Sequence, residues 1–212
     1  LSNTAAGLSQ QLTDEEMKSI VEAANSLGRK VAAHAHAADG INAALRAGVS
    51  SIDHGSYLDD ESVKLFLEND AWLVPTLLAG ISVQDELSVN DQIPPAIVDK
   101  INTVVPVVEA SFKRALKGGV KIAFGTDSGV SKHGENAREF EIMVDYGMSE
   151  SHAIKTATLN AAELLGLKDQ IGSIENGKSA DIIAVDKNPL EDISELKNIT
   201  FVMKSGIIYK MK

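Results

Sequence analysis

The chain has 212 residues, 44% of them hydrophobic, which is enough for one substantial core, and 30 acidic against 20 basic side chains give a formal net charge of −10. That charge disfavours nucleic acid or an anionic membrane as a partner, because both are drawn to basic patches. There is no cysteine for a disulfide framework, and no apolar run approaches the roughly 20 residues of a membrane-spanning helix.

Along the chain, LTDEEMKSIVEAANSLG opens with Thr13 and carries Glu16 three residues later, followed by apolar residues at helical spacing. This predicts an amphipathic helix introduced by a capping box. The next stretch, VAAHAHAADGINAALRAGVSSIDHG (31–55), holds three of the five histidines. Its short apolar run from Val31 reads as a buried strand ending in His34 and His36, which share one face because side chains alternate along a strand. DGINAALRAG has helical spacing with a glycine stop, and VSSIDHG is a second strand ending in His54.

DDESVKLFLEND follows as a helix and AWLVPTLLAG as a strand running into a loop. IPPAIVDKINTVVPVVEASFKRALKGG reads as a long helix kinked near Pro106. VKIAFGTDSG then gives a buried strand with Asp127 at its C-terminal end, between glycines that allow close backbone approach. The expected strands lie near residues 30–36, 50–54, 72–75 and 121–125, parallel and alternating with helices. After Leu167 the texture changes to short β-rich runs broken by Gly, Asn and Pro.

Chemistry in parallel α/β folds collects at the C-terminal ends of strands. His34, His54 and Asp127 occupy such ends on three different strands, and two imidazoles with one carboxylate are ligand types suited to Zn²⁺ or a similar divalent ion. The plainer alternatives are core histidines with backbone partners and an aspartate capping the following helix. His152, inside the helical SESHAIKTATLNAAELLG, reads as structural. His133, on the SKHGEN loop, is either a substrate contact or a solvated loop residue. Arg138 reads as a surface arginine before a substrate-carboxylate contact.

The motifs VAAHAHAADGINAALRAGVSSIDHG, IAFGTDSG, EFEIMVDYGMSESHAIKTATLNAAELLGL, IGSIENGKSADIIAVDKNPLEDI and FVMKSGIIYK, in that order, resemble the C-terminal half of the amidohydrolase superfamily. Within it they are similar to the imidazolonepropionase-related peptidases and dipeptidases. The resemblance implies an α/β fold comprising strands five to eight of a (β/α)8 TIM-like barrel (residues 1–167), then a β-rich tail (168–212) belonging to a composite sandwich domain. It implies a metal-dependent hydrolase of amide or peptide bonds, dipeptidase or carboxypeptidase-like, with a cyclic amidohydrolase as the alternative. His34, His54 and Asp127 would be metal ligands for one or two divalent ions, Zn²⁺ foremost. Asp127 would also be the catalytic proton shuttle for a metal-bound hydroxide, and His36 and His133 would face a small peptide or amide substrate.

The family's first-strand His-x-His pair and fourth-strand lysine have no counterpart here, and the chain opens on Leu1. The expectation is therefore a piece of a longer protein, whose partners include a missing N-terminal half of the barrel. A half-barrel leaves unpaired strand edges, which attract other chains. Alone, the 212 residues are expected to self-associate into a homo-oligomer or to bind that half, and to hydrolyse peptides poorly.

Overall fold

The computed structural model describes residues 9–87 and 95–212. The predicted capping box opens helix α1 (Asp14–Ser26): the Thr13 hydroxyl accepts the Glu16 N–H at 3.2 Å, and the Glu16 carboxylate accepts the Thr13 N–H at 2.8 Å. Strand β1 (Ala32–Ala35), helix α2 (Ala38–Ala47) and strand β2 (Ser51–His54) follow, with Gly48 ending α2 in the left-handed conformation at φ 91°. Asp59 caps helix α3 (Asp60–Glu68), which leads into strand β3 (Trp72–Val74).

Here the structure departs from the predicted loop. Helix α4 (Leu77–Leu87) begins three residues after β3, and Pro75 restricts only the residue before it. What starts the helix is remote in sequence: the buried Glu139 carboxylate accepts the N–H groups of Leu77 and Leu78. No local pattern encodes such a cap. The long helix α5 (Pro95–Gly118) runs through Pro106, with the predicted Ile93 and Pro94 start lying outside the described residues. Strand β4 (Lys121–Ile122) completes a sheet of order β1-β2-β3-β4, parallel throughout, in agreement with the expected topology.

Helix α6 (Arg138–Asp145), helix α7 (Glu150–Lys155), a π-helical turn at Thr156–Asn160 and helix α8 (Ala161–Leu165) then follow, α6 packing on α4 and the π turn on β4. The core is apolar and continuous: Ile52, Leu73 and Ile122 from the strands are buried with Ile41, Leu45, Phe66, Phe112 and Met143 from the helices. No helix among the described residues is long and apolar enough to cross a membrane.

The two outer edges of this sheet differ, although both were expected to be open. At β4 the Ile122 carbonyl accepts the Asn160 side-chain N–H at 2.8 Å, and the Phe124 N–H donates to the Thr156 carbonyl at 3.0 Å. The π turn thus occupies that edge. At β1, Ala32 and His34 are exposed, and a cavity of about 730 Å³ opens between the strand and the α1 side chains Met17, Ile20 and Val21.

The tail forms a separate antiparallel sheet of β5 (Ile182–Ala184), β6 (Phe201–Lys204) and β7 (Ile207–Met211). Ile183, Ile207, Ile208, Tyr209 and Met211 on it are all exposed. The predicted β-rich texture is present, and its apolar side chains lack a covering layer among the described residues.

Candidate metal centre

Parallel pairing sets Ala35 of β1 opposite His54 of β2, so the histidines that end the two strands share one rim of the sheet. His34 Nδ1 and His54 Nε2 stand 2.9 Å apart. The His36 ring stacks on that of His54 with centroids 4.6 Å apart, and His34 meets both rings edge-on. One nitrogen from each of the three lies within 4.8 Å of the others.

Hydroxyl groups hold two of the rings. Thr76 Oγ1 lies 2.6 Å from His54 Nδ1, and Ser56 Oγ lies 2.8 Å from His36 Nδ1. With Nδ1 so engaged, the Nε2 of His54 faces His34, the arrangement in which a second partner fixes the tautomer of a metal-binding histidine. Burial, then the neighbouring His54 and His34, lowers the His36 pKa to about 4. Burial likewise lowers that of His54, with Asp127 opposing. Both rings are therefore neutral near pH 7, the form that binds metal.

The spacing fits an ion. Two nitrogens bound to one tetrahedral Zn²⁺ at about 2.0–2.1 Å stand about 3.3 Å apart, so a few tenths of an ångström of ring movement converts the 2.9 Å contact into paired ligation. The donor set is thus chemically and geometrically suited to a divalent metal.

Strain marks the same rim. His54, Thr76 and Asp127 all have positive φ, at 75°, 48° and 52°, and each follows the end of a parallel strand or closes it. Such conformations are costly for residues other than glycine, persist only where surrounding structure enforces them, and gather at functional sites. Gly55, next to His54, has φ 61°, and a Cβ there would come within 2.6 Å of Leu73 Cδ1. A side chain at 55 would have to displace the Leu73 side chain and would strain the backbone at φ 61°.

Of the residues singled out in the sequence, the structure brings His34 and His54 together, and His36, expected either to support the ligands or to face the substrate, stands with them. Asp127 lies outside the three-histidine group: its side chain is exposed, its carbonyl accepts the Val130 N–H in a tight turn, and its charge acts on His54. His133 is exposed on the following loop and is not part of the histidine group. Arg138 is engaged by Asp85 at 2.7 Å and Glu135 at 3.0 Å, consistent with its structural reading. His152 sits on α7, away from the cluster. Sequence reasoning missed Ser56 and Thr76, which follow strand-end residues closely, and Asp53, whose carboxyl is pushed up by burial and pulled down by His34.

The fold is that of a parallel α/β protein whose strand-end imidazoles form a donor group suited to a metal ion. The particular family follows from comparison: residues 2–208 match the model of the amidohydrolase family, and the chain belongs to it. It is 36% identical over 206 residues to the ochratoxinase of Aspergillus niger, covering 94% of this chain and 42% of that protein. Among solved structures it is similar to a Xaa-Pro dipeptidase with bound methionine in the active site (46% identity, TM-score 0.89, 94% of this chain and 49% of that one). It is also similar to a prolidase complexed with N-methylphosphonate-L-proline (31%, TM-score 0.87, 95% and 50%). The chain spans about half the length of these relatives.

Proposed function

We propose that this chain is the C-terminal half of a metal-dependent hydrolase of amide or peptide bonds, acting on small dipeptide-like substrates. The observation that carries the reading is the pair of opposed nitrogens, His34 Nδ1 and His54 Nε2, on adjacent parallel strands. A dipeptide substrate is favoured by the similarity to proteins named Xaa-Pro dipeptidase and prolidase.

His34 and His54 would hold the ion, Zn²⁺ being suited to imidazole donors. When bound, a divalent ion lowers the pKa of its water toward about 7 and polarises a carbonyl oxygen. Asp127, on a turn at the same rim, takes up the proton released during attack and delivers it to the departing amine. His36 presents Nε2 to the same space and contacts the substrate. Its membership of the three-histidine group also supports a second reading, in which it is a further ligand. His133, on the loop after β4, contacts the substrate.

The first four strands of the barrel belong, on this reading, to the missing half. The open β1 edge and the cavity beside it receive that half, and the exposed apolar face of β5 to β7 is covered by the other layer of a sandwich.

Hydrolysis of a panel of Xaa-Pro and other dipeptides by the complete protein, before and after chelation and after Zn²⁺ is restored, tests the function. Activity that disappears with chelation and returns with Zn²⁺ is expected. Metal-independent hydrolysis, or none of any dipeptide or cyclic amide by the metal-loaded protein, contradicts the reading.

A further inference from the structure

Glu139 is fully buried on the first turn of α6, and neither the metal centre nor the proposed chemistry uses it. Among the described residues it has no ion-pair partner. Its two oxygens instead take one N–H each, Oε1 from Leu77 at 2.9 Å and Oε2 from Leu78 at 2.6 Å. These are the opening amides of α4, which the helix itself leaves without acceptors.

Such amides are ordinarily satisfied by the side chain of the residue just before the helix. Thr76 holds that place, but its hydroxyl is turned away from α4 and onto His54 Nδ1 at 2.6 Å. It does this from φ 48°, a conformation that a β-branched residue adopts only under constraint. A local threonine cap and the contact to His54 compete for one hydroxyl. The carboxylate from α6 removes the competition.

Burying a carboxyl group without a cation is costly, and burial pushes the Glu139 pKa up to about 8 while the two amides pull it down. An apolar residue of like size would fill the space without that cost. It would leave the two amides unsatisfied.

We propose that Glu139 is a positioning residue for the metal centre: by capping α4 in place of Thr76, it fixes Thr76 in the conformation that orients the His54 ring. The proposal rests on the reading of His54 as a ligand. It adds a residue from α6 whose effect reaches the ion through Leu77, Leu78 and Thr76.

The test is made in the complete protein with Glu139→Gln, which keeps size but sets an NH₂ against one of the amides. Thr76→Ala removes the hydroxyl, and Thr76→Ser retains it. Two quantities are read: the Zn²⁺ dissociation constant, and the imidazole ¹⁵N shifts of His54 in the metal-free protein. E139Q and T76A are each expected to weaken Zn²⁺ binding by about 10–100-fold, with T76S near wild type. Both are expected to move the His54 ¹⁵N shifts away from those of a single tautomer. The double variant E139Q/T76A should bind no more weakly than T76A, because both substitutions act on one hydrogen bond.

An E139Q protein with a lowered melting temperature but wild-type Zn²⁺ affinity and His54 shifts would mean that Glu139 only supports the fold, and would overturn the proposal. So would effects that multiply in the double variant. If the Gln variant does not fold, Glu139→Asp, which shortens the reach and keeps the carboxyl group, is judged by the same outcomes, and wild-type shifts in T76A overturn the relay independently. Should His54→Ala leave Zn²⁺ affinity unchanged, the metal reading fails while the ¹⁵N shifts still decide what Glu139 does.

Discussion

The ends of β2 and β4 are alike in backbone and unlike in what surrounds their side chains. Each carries a non-glycine residue with positive φ, His54 at 75° and Asp127 at 52°. The His54 ring is then held from two sides, by Thr76 Oγ1 at 2.6 Å and by His34 Nδ1 at 2.9 Å. Asp127 is exposed, and among the described residues no hydrogen bond reaches its carboxylate. On the proposed reading the difference separates two tasks. A ligand must be fixed before the ion arrives, whereas a group that carries a proton between water and a leaving amine needs freedom to follow both.

The comparison is sharpened most by Asp127→Asn in the complete protein. The amide cannot carry the proton but retains an oxygen, so kcat should fall by about 10²–10⁴-fold while Zn²⁺ content is kept. Steady-state kinetics with metal analysis measures both. Wild-type kcat in this variant would remove Asp127 from the chemistry.

The fixed side of the rim can be probed through its support. Glu139 has a folded-state pKa of about 8 against the 4.5 of an ordinary glutamate, so it binds its proton more tightly when folded. The stability this contributes is full below about pH 4.5 and is lost as pH rises toward and through about 8. Of the groups around it, Tyr146 feels the same charge, and Arg138 is already engaged by Asp85 and Glu135. The melting temperature of the wild type relative to E139Q should therefore fall between about pH 5 and about pH 8.5. A pH-independent difference would show that Glu139 has no raised pKa.

His133→Ala should have the smallest effect. The residue lies on an exposed loop, and on the proposed reading removing its substrate contact raises KM and leaves kcat unchanged. Unaltered kcat and KM would return His133 to the role of a solvated loop residue.

What can be read from the sequence follows from period and punctuation. The parallel strands, the capping box at Thr13 and the histidines at strand ends are all written in short stretches of chain. Residues that act across the fold leave no such trace. Glu139 lies more than sixty positions from the amides it caps, so the start of α4 reads as a loop and the buried carboxylate reads as any helical glutamate. Thr76 is hidden for a related reason, since a threonine after Val-Pro reads as a turn until the neighbouring strand brings His54 to it. The covered edge of β4 likewise depends on Asn160 and Thr156, whose helix has to fold back before its polar groups can meet the strand.

Whether His34 and His54 bind one ion between them is decided by Zn²⁺ titration of the complete protein against a competing chelator. Wild type should bind tightly, with X-ray absorption showing imidazole nitrogens at about 2.0–2.1 Å. His34→Ala and His54→Ala should each weaken binding by more than the ~10–100-fold that removal of an orienting partner costs. Affinity unchanged in both variants, or absorption spectra without imidazole ligands, would contradict the account.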